Sequence, residues 1–105
     1  MDAVDDRLRR AVVHGQDVTV TRYAFAPGGR FPHHRHEQEQ VTFVIDGEIT
    51  FLVEGRPYTV STDEVIILPS GIPHSAEAGA EGAQVISVVT PRRADEGAVE
   101  VLEGD

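Results

Sequence analysis

Three of the chain's five histidines fall in one short stretch, Pro32-His33-His34-Arg35-His36, which runs through Glu37-Gln38-Glu39-Gln40 into an apolar segment. Side chains two residues apart share a face only on an extended backbone; on a helix they point nearly opposite ways. An extended strand therefore brings His34 and His36 together, and Gln40 has the same parity. His33, Glu37 and Glu39 have the other. A further imidazole, His74, follows the rigid connection Pro69-Ser70-Gly71-Ile72-Pro73. Two imidazoles from one strand and one from a distant strand form a facial set suited to a divalent transition metal. Glu39 could stand in for Gln40 only through a bulge, and a solvated polar loop is the bland alternative for the whole stretch.

Composition narrows what such a site could be. With no cysteine, any metal must be held by nitrogen and oxygen. The formal charge of -9 argues against nucleic acid and anionic membrane as partners, since both call for a basic patch. All nine basic residues are arginine, which excludes a Schiff-base lysine. No apolar run approaches the ~20 residues of a membrane helix, and the first ten residues lack the apolar core of a signal peptide. These features lead to the expectation of a cytoplasmic protein.

The elements that must position the histidines read as strands. Residues 18–25 are β-branched and aromatic and end at Pro27-Gly28-Gly29. Residues 40–45 form a strand, Asp46-Gly47 signals a hairpin, and residues 48–53 are expected to pair back. Glu54-Gly55 makes a second tight turn, residues 65–68 are wholly apolar, and residues 85–89 form the last core strand. Residues 76–82 read as a loop or weak strand, and 99–102 as a candidate edge strand. No helical period of useful length appears, so the fold class is all-β, a sandwich or barrel. One domain is expected: a charged N-terminal segment at 1–10, a barrel at 11–93 and an acidic tail at 94–105. Residues 41–45 and 49–53 are apolar on both faces, which implies a covered outer face and, in so small a chain, a homodimer. The chain's own tail is the other candidate cover.

The order and spacing of Gly28, His34, His36, Gln40 and Gly47 resemble the first motif of the cupin superfamily, with glutamine where glutamate is usual. Asp63, Pro69, Gly71 and His74 resemble the second, with Asp63 in place of the usual glycine. The resemblance covers roughly residues 9–93. It implies a small single-domain cupin, a double-stranded β-helix (jelly-roll barrel), holding one divalent transition metal (zinc, manganese, iron or nickel) through His34, His36, Gln40 and His74. Three neutral imidazoles and a neutral amide would leave the ion's charge uncompensated, making it a stronger Lewis acid and a better binder of carboxylates or enolates.

That ligand set is similar to the pectin-degradation and polyketide-cyclase-like cupins. The former open a cyclic unsaturated uronate to its keto form and use an Asp-x-Phe-x-Pro-x-Arg segment; here Ser87, Val89, Pro91 and Arg93 occupy those places. Arg93 therefore matches, whereas the acid-base carboxylate does not, and the catalytic residue stays unassigned. Candidate substrate-binding residues are Arg30, Tyr23, Phe31 and Arg93. The resemblance points to an isomerase, cyclase or dioxygenase acting on an oxygenated or carboxylate-bearing small molecule. The alternative is a non-catalytic binding or sensor module, which the lack of an evident protein base keeps open.

Overall fold

The computed structural model describes residues 1–93 and 100–101. The described residues form nine strands: β1 (Asp2–Asp5), β2 (Leu8–His14), β3 (Thr19–Phe25), β4 (Arg30–Arg35), β5 (Glu39–Val53), β6 (Arg56–Ser61), β7 (Val65–Leu68), β8 (His74–Thr90) and β9 (Glu100–Val101). All pairings are antiparallel. Among the described residues no helix is long and apolar enough to cross a membrane.

Two long strands organise the barrel. β5 and β8 pair along nearly their whole length, with register shifts between Val44 and Asp46 and between Gly47 and Ile49. Above this corner β5 pairs with β7, and β8 with β3, extending through β2 to β1. Beyond it β5 pairs with β6, and β8 with β4, which carries β9. The result is two layers joined by shared strands, the all-β jelly roll expected from the motifs.

Asp46-Gly47 is therefore not the hairpin its residues signal. The chain bends and continues as the same strand, because β8 bends beside it. Gly47 has φ of 90°, and a Cβ there would lie 2.2 Å from the Gly82 carbonyl oxygen, so the corner needs glycine. Glu54-Gly55 is a two-residue hairpin turn as read, with both residues at positive φ. Residues 76–82 belong to β8 rather than to a loop. The N-terminal segment is a hairpin, not a frayed charged end: Leu8 is fully buried and pairs with Phe25. Of the candidate edge strand, Glu100 and Val101 pair with β4, while Val99 and Leu102 lie outside the described residues.

Side chains from both layers fill the interior. Tyr23, Phe25, Val44, Ile49, Phe51, Leu68 and Val85 are all buried there. Removing one such aromatic, as in Phe51→Ala, costs about 3–5 kcal/mol through lost burial and the cavity left behind.

The opposite face of the first layer is apolar too. Cross-strand register lines up Ile67, Val41, Val88, Val20 and Val13 in one row, and Val65, Phe43 and Ile86 in the next. Phe43 is 48% exposed and Ile67 59%. A row of this kind does not stay wet cheaply. The expected homodimer would use this face: sedimentation should give a dimer for the wild type and a monomer for Phe43→Glu/Ile67→Glu, whereas a strict monomer at high micromolar concentration would contradict it.

Candidate metal centre

His34, near the end of β4, stands opposite His74, the first residue of β8. Their ring centroids are 4.3 Å apart, and His36, in the bend after β4, lies 5.5 Å from His34 and 5.2 Å from His74. All three are buried between the layers. Two bonds tie the segments together: Gly71 N–H donates to the His36 carbonyl at 2.9 Å, and the Ser70 hydroxyl donates to the Glu37 carbonyl. The rigid connection before His74 is thereby pinned to the turn that carries His36.

Each ring is held the same way. His34 Nδ1 lies 2.6 Å from the Pro32 carbonyl, His36 Nδ1 3.0 Å from that of Gln38, and His74 Nδ1 2.9 Å from that of Ile72. A carbonyl only accepts, so each Nδ1 carries the hydrogen and each Nε2 keeps its lone pair. Metal-binding histidines are oriented in this manner. Donor atoms of the three rings lie within 4.8 Å of one another.

Two further observations test whether these residues suit a metal ion. His74 Nε2 is buried with no hydrogen-bond partner, a deficit worth about 1–3 kcal/mol when nothing fills it. His36 Nε2 lies 3.0 Å from Gln40 Oε1, so two acceptors face each other. A second ring proton would relieve the conflict, but burial, with Arg93 nearby, lowers the His36 pKa. Turning the amide over would relieve His36 and do nothing for His74. One cation answers both, and neighbouring donors on an ion with bonds of about 2.1 Å sit about 3 Å apart. The donor set fits a divalent transition metal.

A cavity of about 30 Å³ adjoins this cluster, enough to hold water or a small ligand group beside an ion. Tyr23, Phe31, His34, Gln40, His74, Ser87 and Arg93 help to line it. Among the described residues no carboxylate does. Arg93 is 6% exposed and its Nε has no partner, although its backbone N–H donates to Thr19 Oγ1 at 3.0 Å.

Of the sequence candidates, His34, His36, Gln40 and His74 come together, and Tyr23, Phe31 and Arg93 line the cavity. Arg30 does not. It is exposed on β4 across from Glu77, away from the histidines. Simple parity would put Arg30 and His34 on one face, but β4 shifts register between Phe31 and His34, so Phe31 turns inward in its place. Sequence reasoning missed Gln38, Thr42 and Ser87. Gln38 and Thr42 continue the even parity of His34 and His36, and Thr42 is a polar residue inside an apolar run; both are signals that were present.

Three comparisons bear on this architecture. A family model described as a Cupin domain matches residues 21–89. The pectin degradation protein KdgF of Dickeya dadantii is 24% identical over 92 residues, 87% of this chain and 84% of that protein. The dimethylsulfoniopropionate lyase DddQ of Ruegeria pomeroyi is 36% identical over 61 residues, 56% of this chain and 30% of that one. The chain spans less than a third of the length of two of the curated relatives it matches. Among solved structures, KdgF from a Halomonas species superposes with a TM-score of 0.83 at 26% identity, covering 90% of this chain and 87% of that one.

The buried histidines also set a pH dependence. Burial is the largest cause in each case, pushing His34 from 6.5 down to about 3, with His74 beside it adding to the fall, and His74 down to about 4. Folded-state values below the ordinary one mean that the unfolded chain binds more protons in acid. Stability is therefore full above pH 6.5 and is lost as pH falls toward 4. For chelator-treated protein the melting temperature should begin to drop near pH 6.5, before ordinary carboxylates titrate; a flat profile down to pH 5 would contradict the buried neutral rings.

Proposed function

The chain belongs to the cupin domain family, and on that premise we propose that it is a metal-dependent enzyme of the isomerase or cyclase kind. Its substrate would be a small oxygenated molecule bearing a carboxylate. The observation that carries this reading is the pairing of three buried Nε2 lone pairs with a buried guanidinium, beside a cavity lined by no carboxylate among the described residues. His34, His36 and His74 would hold the ion through Nε2 and Gln40 through Oε1. Bound there, a zinc, manganese, iron or nickel ion supplies Lewis acidity to an oxygen of the substrate.

The chain's own residues do the rest. Arg93 offers buried, charged N–H donors to a carboxylate, and such bonds are the strong ones. The rings of Tyr23 and Phe31, 6.1 Å apart, form an apolar part of the cavity wall. Nδ1–H bonds to Pro32, Gln38 and Ile72 keep the imidazoles from turning.

The absence of a carboxylate ligand favours Lewis-acid chemistry over the two-histidine, one-carboxylate arrangement of iron oxygenases, which places a dioxygenase second. A similar protein, KdgF, acts in pectin degradation, which supports testing uronic acids first. Among the described residues no carboxylate base stands on the cavity wall, which favours the other reading, a binding or sensor module that holds the same ligands without turnover.

The metal-loaded protein should bind, and convert, at least one member of a panel of uronic, hydroxy- and keto-acids followed by proton NMR. Arg93→Gln should weaken that binding by tenfold or more, on the order of the 1.5–3 kcal/mol of a charged hydrogen bond. Binding without conversion would favour the sensor, and no binding of any carboxylate would overturn both.

A further inference from the structure

The buried polar groups behind Gln40 form a chain with a direction. Gln40 Nε2 lies 2.9 Å from Thr42 Oγ1, and Thr42 Oγ1 lies 2.8 Å from Ser87 Oγ. Thr42 is fully buried, so no water is available to it. Ser87 lines the cavity. No hydrogen bond joins Ser87 to Thr21, its other cross-strand neighbour.

An amide nitrogen only donates, whereas a hydroxyl does both. With Gln40 Oε1 turned to a cation, the amide presents N–H to Thr42, whose oxygen must accept. The Thr42 hydrogen then has one acceptor within reach, Ser87 Oγ. Among the described residues that leaves the Ser87 hydrogen without a protein partner, and the hydroxyl lies on the cavity wall.

We propose that Ser87 is a specificity-determining donor: a molecule bound in this cavity meets an O–H at Ser87, and one that presents an acceptor oxygen to it gains a hydrogen bond. A carboxylate or enolate oxygen fits best, because Arg93 on the same wall also donates. A ligand that offers only N–H or O–H hydrogens there reaches the second lone pair of Ser87 Oγ and leaves the hydroxyl hydrogen unused. Thr42 acts as a positioning residue, since it touches neither cavity nor ion and sets the direction of the bonds on either side of it. The proposal rests on the metal reading given above.

The direction can be read from protons and its consequence from affinity, using zinc-loaded protein. On addition of zinc the Gln40 side-chain NH₂ signals should shift, and the Thr42 hydroxyl proton should exchange slowly and relax against the Ser87 side chain. Ser87→Ala should still take up zinc as the wild type does and bind imidazole with unchanged affinity, because imidazole brings no oxygen to that wall. Its affinity for oxalate should fall about tenfold, as expected for one lost hydrogen bond to a charged acceptor, and Ser87→Thr should restore it. Oxalate affinity in zinc-loaded Ser87→Ala within about twofold of wild type, too small for a lost hydrogen bond, overturns the Ser87 assignment and leaves the metal reading standing. A Ser87 hydroxyl proton bonded to Thr42 in the zinc form does the same. Failure of the wild type to take up zinc overturns both.

Discussion

Everything at the centre of this protein depends on how three imidazole hydrogens are spent. His34, His36 and His74 each give Nδ1–H to a main-chain carbonyl two residues away. That choice leaves three lone pairs aimed into a buried space, a costly arrangement unless something shares them. Burial keeps the rings neutral, and Arg93 nearby opposes their protonation further. Neutral rings with free Nε2 atoms are what a cation requires. Among the described residues no carboxylate lines the cavity, so Arg93 is the one formal charge on its wall, inside a chain of net negative charge.

The barrel delivers those rings from two separate segments, His34 and His36 from β4 and the bend after it and His74 from the start of β8. β5 and β8 each serve both layers, so one corner at Gly47 and Gly82 sets the geometry of both halves of the site. Gln40 and Ser87 come from one side of that corner, His34 and His74 from the other. The four anchor positions of the two motifs, Gly28, Gly47, Asp63 and Gly71, all have positive φ. That explains their spacing in physical terms: each is a place where the backbone must turn left-handed. Asp63 does so at φ of 69°, and aspartate is among the residues that tolerate it best.

Much of the site could be read from the chain because strand periodicity is local. His34 and His36 share a face for the reason the two-residue period gives, and His74 arrives where the proline-framed connection sends it. The reading failed where tertiary contact overrode a local rule. Asp46-Gly47 has hairpin chemistry but continues as a bulged strand, because its partner bends with it. Arg30 has the parity of His34 but not its face, because β4 slips register near Pro32. The N-terminal segment at 1–10 read as a charged segment ahead of the barrel, yet it pairs as β1 and β2, and Leu8 supplies a fully buried side chain. Thr42 was hidden in an apolar run, where a hydroxyl has meaning only once its partners across the sheet are known.

The most direct test of the account is X-ray absorption on protein isolated without a metal-binding tag, compared with His74→Ala. The account predicts one divalent ion per chain, coordinated by three imidazoles and at least one oxygen, and no stoichiometric ion in the variant. Full metal content in His74→Ala, or an ion with fewer than three imidazoles in the wild type, would contradict it.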